Sequence, residues 1–278
     1  MSNFKDIENF IDLRRALPFL KGEGWRKFIR RKLEYVFGIS GCRRIVVEAA
    51  QAKTPDVFGR FMQILNILID AEGVKETISS IPKFSGAVVI ANHPYGGADA
   101  MALGSLCMQL EPYNTKILAN SMVHHAPKFI DCLMPLRILG EPNATRDNLK
   151  TLKAASQHVK NGGLLVVFPA GGVSHYQKDQ KKITDVPWSE HIARIAIKAN
   201  VPVVPVKFFG HNSLWYQIIG VIHPLLRAAF IPRALLMMEN ETIKCRAGSI
   251  IDPQTLASTD NPTAMLRDSV YSISDTSH

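Results

Sequence analysis

The sequence predicts an α/β fold, a mostly parallel central sheet flanked by helices, with a helical extension on its N-terminal side. Short uncharged runs rich in Val and Ile at 86–90 (GAVVI) and 164–168 (LLVVF) have the character of strands buried on both faces. Each is followed by a stretch with helical character, and this alternation implies βαβ units. The two most unusual loops, 92–98 and 169–175, leave the ends of those runs, where ligands gather in parallel sheets.

Taken in order, residues 1–80 read as a basic amphipathic helical region. Trp25, Phe28, Ile29, Leu33, Val36 and Phe37 recur at helical spacing, with basic residues on the other face. Phe58, Phe61, Met62, Leu65, Leu68 and Ile69 repeat the pattern and predict a second helix ending near Gly73. From 81 to 278 the chain reads as the main domain, joined to the first region in one structural unit. The 86–90 strand leads to a helix over 99–110, a strand at 116–118 and a helix over 147–160 closed by Asn161, Gly162 and Gly163. The 164–168 strand, a helix over 188–199 and a strand over 203–208 complete the pattern.

Hydrophobic content of 46% and charged content of 21% are ordinary for a globular chain and exclude disordered and fibrous classes. The net charge of +9 favours an anionic partner. Nearly all of it lies between Arg14 and Arg44, where ten basic residues face only Glu23 and Glu34. There the basic residues accompany a bulky apolar helix face and not a stacking platform, which argues against nucleic acid. Cys42, Cys107, Cys132 and Cys245 form no C-x-x-C pair, so neither a zinc site nor a disulfide framework is expected, and a reducing cytoplasm fits. The opening MSNFKDIENF does not read as a signal peptide. The longest run without Asp, Glu, Lys or Arg, 208–226, is too polar for the roughly 20 mostly apolar residues of a spanning helix, so membrane contact is expected to be peripheral.

The first unusual loop, ANHPYGGAD, sends His93 from the end of a strand and opens the next helix with Asp99. A carboxylate there can hold one imidazole nitrogen and leave the other as a base. Such a pair without a nucleophile suits direct transfer, in which a hydroxyl or amine is deprotonated as it attacks an activated acyl group. An ordinary loop histidine and a helix cap are the plain alternative. In the second loop, FPAGGVSHY, Ala170, Gly171 and Gly172 allow backbone N–H groups to approach an anion, with a simple turn as the alternative. Ser174 and His175 are adjacent in sequence, so their side chains diverge. His124 and His125 lack the spaced partners of a metal site, and no phosphate-binding Gly motif is present.

In order, Asn92-His93…Asp99, Phe168-Pro169-Ala170-Gly171 and 201–206 (VPVVPV) resemble three blocks of the lysophospholipid and glycerolipid acyltransferase family. Pro135-Leu136-Arg137 sits where that family keeps a phosphate-binding arginine. The chain departs from the usual pattern in having five residues between His93 and Asp99 where four are usual. Ala170 also replaces a glutamate, and Val173 a basic residue. NHP-x-G-G-x-D, FPAG-x-VS and Gly210-His211-Asn212-Ser213 instead resemble its hemolysin-type branch.

The resemblance covers about 81–247 and implies an acyltransferase fold with His93 and Asp99 catalytic. Asn92, Gly96, Gly97, Arg137, Phe168, Pro169, Ala170, Gly171, Gly172 and Ser174 are implied as substrate-binding. It implies acylation of a lyso-ornithine or lyso-glycine lipid from acyl carrier protein or coenzyme A, with no other cofactor and no metal. The expected place is the inner face of the cell membrane, held by the basic N-terminal helices. The rival readings are acylation of a lysophospholipid, hydrolysis by His93-activated water, and a non-catalytic, membrane-disrupting protein.

Overall fold

The computed structural model describes residues 13–16, 18–111, 114–120, 128–137 and 143–275. Its N-terminal part runs α1 (Leu13–Ala16), α2 (Trp25–Val36), α3 (Ile39–Gln51), α4 (Val57–Ile64), β1 (Leu68–Asp70) and α5 (Val74–Ser79). The centre follows as β2 (Ala87–Ala91), α6 (Gly97–Leu110), β3 (Thr115–Asn120), α7 (Phe129–Cys132), β4 (Leu133–Leu136), α8 (Ala144–Lys160) and β5 (Leu164–Val167). Next come the hairpin strands β6 (His175–Gln177) and β7 (Lys182–Thr184), then α9 (His191–Ala199) and β8 (Val203–Phe208). The chain continues through α10 (Leu214–Ile222), α11 (Pro224–Ala229), α12 (Ile231–Leu236), β9 (Thr242–Ala247), α13 (Pro253–Ser258) and α14 (Pro262–Tyr271).

Seven strands form one sheet in the order β1-β9-β8-β2-β5-β3-β4. From β8 to β4 all neighbours are parallel, whereas β9 runs antiparallel to β8 and carries β1 parallel to itself. Helices cover both faces. Ala87, Val89 and Ala91 of β2 pack into the core containing α3, α4 and α6, while Val88 and Ile90 pack toward α8, α9, α13 and α14. Covering both faces explains the near-continuous hydrophobic character of the central strands.

The strand expected at 116–118 extends over Thr115–Asn120, and the 203–208 strand has those bounds. The N-terminal part differs more. The helix expected to reach Gly73 stops at Ile64, because Asn66 takes a positive φ of 50° and turns the chain, and Leu68 and Ile69 become strand β1 paired with Thr242 and Ile243. Phe58 and Phe61 share the core of β2 and α6, so packing continues across the boundary placed near residue 80. Strands β4 and β9 and helix α3 were not expected. β4 contains Pro135 and lies at the sheet's edge, where a missing N–H costs least.

Phe58 anchors α4: it is buried, and its ring meets Phe129 edge-on with centroids 5.3 Å apart. Asp56 caps the same helix through Gly59 N and accepts from Ser105 Oγ of α6 at 2.7 Å. Phe58→Ala should lower unfolding free energy by about 3–5 kcal/mol in urea titrations. A loss below about 1 kcal/mol would mean that this contact does not hold the N-terminal helices to the sheet.

Candidate active site

Three adjacent parallel strands, β8, β2 and β5, bring their carboxyl ends together. His93 leaves β2 on the side facing α6, and Asp99 enters α6 one turn from its start. His93 Nδ1 lies 3.2 Å from Asp99 Oδ2. The ring N–H is not aimed well enough for a formed hydrogen bond, so the contact is electrostatic in this conformation. Asp99 is fully buried. Its Oδ2 accepts from Tyr95 N at 2.8 Å and Gly96 N at 2.9 Å, while Oδ1 has no partner among the described residues. Burial pushes the Asp99 carboxyl up, against the opposing pull of His93 and the two N–H groups.

The loop geometry needs glycine at two places. Gly96 has φ 73°, and a Cβ there would lie 2.8 Å from Val173 Cγ2. Gly210 has φ 93°, and a Cβ would lie 2.0 Å from the Tyr95 hydroxyl, which donates to Phe209 O at 2.9 Å. Asn212 N and Nδ2 both donate to Pro94 O, so the 210–213 segment holds the His93 loop from the β8 side.

Phe168 stacks against the His93 ring with centroids 4.2 Å apart. Asn92 is buried, and its amide bonds Phe208 through Nδ2 to O at 2.9 Å and from N to Oδ1 at 2.7 Å. Both ends of the amide are thus engaged with β8. Ser174 N donates to His93 O at 2.8 Å, and its hydroxyl donates to Asp185. Asn92 and Ser174, expected as substrate contacts, act here as fastenings. Pro169 O accepts from Ser189 N, and Ala170 packs toward the α9 side. The Gly171 N–H is used within its own turn, on Phe168 O, and the Gly96 N–H on Asp99, so neither is open to an oxyanion. Gly172 is exposed, and Gly97 is the first residue of α6.

Arg137 lies beyond β4, three strands from β2, or about 14 Å at the usual strand spacing. Its Nε pairs with Asp147 at 3.1 Å. The structure does not bring it to His93. His124 and His125 lie outside the described residues. Among the described residues, no three His, Cys, Asp or Glu side chains are placed to hold a metal.

Asp185 is the group that sequence reasoning missed. It is buried after β7, accepts from His93 N at 3.3 Å and from the Ser174 hydroxyl, and accepts from Trp188 Nε1 at 2.9 Å. Ser174 therefore does not pair with His175, whose ring faces Val173 O and Gln177. Burial pushes the thiols of Cys42, Cys107 and Cys245 up to about 12, which removes them as nucleophiles at neutral pH. A groove of about 790 Å³ lined by Glu72, Arg246 and Ser274 shares no residue with the His93 loop, and its Arg246 is paired with Asp70.

Residues 74–208, from the first residue of α5 to the last of β8, match the Acyltransferase family model and form an acyltransferase domain. A chain that carries such a domain is an enzyme. It is 22% identical over 95% of both chains to a lyso-glycine lipid O-acyltransferase of Phocaeicola vulgatus. It is 27% identical to one of Bacteroides thetaiotaomicron over 67% of this chain and 65% of that one. The crystal structure of a 1-acyl-sn-glycerophosphate acyltransferase from Thermotoga maritima aligns at 16% identity and a TM-score of 0.47, covering 81% of this chain and 83% of that one.

Replacing Asn92 by Ala would leave the buried N–H and C=O of Phe208 unpaired. Asn92→Ala is expected to lower stability by about 2–4 kcal/mol in chemical unfolding. Unchanged stability with lost turnover would return Asn92 to the role of a substrate contact.

Proposed function

We propose that the enzyme moves a fatty acyl group from a thioester of acyl carrier protein or coenzyme A to the hydroxyl of a lyso-aminolipid of the lyso-glycine or lyso-ornithine type. The observation that carries the mechanism is the His93–Asp99 pair, with the carboxylate fully buried against Nδ1. In this reading Asp99 stabilises the imidazolium, and His93 Nε2 takes the acceptor proton. The acceptor oxygen then attacks the thioester carbonyl carbon, the C–S bond breaks, and the thiolate leaves and recovers the proton. A free thiol titrates near about 8.5, so little acid assistance is needed. The relatives' names support the acceptor class, and the pairing of Arg137 with Asp147 away from His93 supports an acceptor other than a glycerol phosphate.

In this reading the enzyme works from the inner face of the membrane. No helix among the described residues is long and apolar enough to cross a bilayer. Trp25, Phe28 and Tyr35 of α2 are exposed beside Arg26, Lys27, Arg30, Arg31 and Lys32, and Leu214, Ile218, Ile222 and Leu225 are exposed on α10 and α11. Phe230 links the two surfaces, its ring 4.9 Å from Phe37 and 5.7 Å from Trp215. Apolar side chains among basic ones are the composition of an interfacial helix on anionic lipid.

His93→Ala should cut turnover by roughly 10²–10⁴-fold, and Asp99→Asn by up to about 10⁴, with circular dichroism unchanged. Lipid mass spectrometry of cells given lyso-aminolipid should show the diacyl product with the wild type alone. Retained turnover in His93→Ala would exclude the general-base mechanism. Vesicle flotation should show binding that rises with anionic lipid and falls with salt. The Trp25→Ala/Phe28→Ala double variant should lower partitioning by roughly tenfold or more. Undiminished flotation of that variant would move the membrane surface away from α2.

A further inference from the structure

Beside the His93 loop, α10 and α11 enclose polar groups that the reaction above does not use. Arg227 is half-buried, and no carboxylate among the described residues pairs with it. Its side chain runs back along α10, since a Cβ on Gly220 would lie 2.9 Å from Arg227 Cδ. Tyr216 and Gln217 precede Gly220 by four and three residues, so each is a neighbour of Gly220 on the buried side of the helix. Tyr216 is fully buried and Gln217 nearly so. The Tyr216 hydroxyl and Gln217 Nε2 have no hydrogen-bond partner among the described residues. Gln217 Oε1 accepts from Tyr176 N at 3.0 Å, which fixes the amide against β6 and leaves its NH₂ as the free end. Burial pushes the Tyr216 hydroxyl up and the His175 ring down, and the positive charge of Arg227 lowers both.

Buried polar atoms without partners are rare and unfavourable, and two of them beside a half-buried guanidinium point to a missing partner. A guanidinium without an anion, an amide donor and a hydroxyl make a set that an oxygen-rich anion completes. Both walls of the cluster are fastened to the catalytic loop. Asn212, just ahead of α10, donates to Pro94 O, and Val173, just ahead of β6, covers Gly96.

We propose that Arg227, Gln217 and Tyr216 form a subsite for the carboxylate of the acceptor headgroup. This rests on the reading of the chain as a lyso-aminolipid acyltransferase. A glycine joined to its acyl chain through nitrogen keeps its carboxylate, and that charge would orient the acceptor so that its hydroxyl reaches His93.

The test measures binding and turnover separately for the wild type, Arg227→Gln and Tyr216→Phe. The binding probes are an N-acylglycine without a hydroxyl, which cannot be acylated, and its methyl ester. The turnover substrates are the lyso-glycine lipid, its methyl ester and lysophosphatidic acid. Wild type should prefer the acids. Arg227→Gln should weaken binding of the N-acylglycine, and raise KM for the lyso-glycine lipid, by roughly ten- to a hundredfold. The esters should be unaffected. Tyr216→Phe should show a smaller loss in the same direction without a lower unfolding midpoint, because the hydroxyl it removes holds no bond within the chain. Equal losses for acid and ester, or none, would overturn the subsite. A loss confined to lysophosphatidic acid would place a phosphate there instead and overturn the carboxylate assignment. Acid-selective binding lost in Arg227→Gln, with no turnover of the lyso-lipid by wild type, would support the subsite and remove the functional reading.

Discussion

Burial of Asp99 is the constraint around which the carboxyl end of the central strands is arranged. An isolated carboxylate in an apolar interior is strongly disfavoured, and one oxygen of Asp99 has no partner among the described residues. What offsets this is local. The other oxygen takes two backbone N–H groups in the first turn of α6, where the helix dipole favours negative charge, and the imidazole stands beside it. Those N–H groups belong to Tyr95 and Gly96, so the carboxylate fixes the loop that also carries His93. A positive φ at Gly96 is the backbone consequence, and Val173 closes over it.

Such a loop cannot drift, and the surrounding contacts are arranged to prevent drift. Asn92 ties the end of β2 to Phe208, Asn212 takes Pro94 O, and Ser174 takes His93 O. Asp185 gathers His93 N, Ser174 and Trp188 from below. Tyr271 of α14 in turn accepts from the N–H of Asp185, which connects the C-terminal helix to the histidine. Much of the chain outside the His93–Asp99 pair thus acts on where one ring is held.

The central sheet and the pair itself were legible because both leave short-range signals: β-branched runs of strand length, and a histidine and an aspartate flanking two glycines. What escaped has no local signature. Asp185 lies ninety-two positions from His93 and sits in an ordinary-looking DVP segment. β1 looked helical because Leu68 and Ile69 continue a periodic pattern, and only pairing with β9 decides otherwise. Asn92 and Ser174 were legible as special residues but not as fastenings, since a polar side chain's partner is a matter of tertiary geometry. The uncharged run at 208–226 is too polar to span a membrane, and testing it only for that leaves aside the exposed apolar face of α10 and the polar groups beneath it.

Val173 connects the departures from the family pattern to the question of the acceptor. The related pattern has a basic residue at that position and a glutamate at 170, and such charged groups suit a phosphate-bearing acceptor. Here Val173 covers the backbone of Gly96, and Ala170 packs against the helices behind the sheet. A long charged side chain at 173 would have to turn away from that contact, leaving the glycine uncovered and the buried carboxylate closer to water. In the proposed function, recognition of a headgroup charge therefore has to come from another direction. Arg227, beside Gly220 of α10 and with no carboxylate partner among the described residues, is the cation that the proposed subsite uses, on a helix whose Leu225 and Leu226 are exposed.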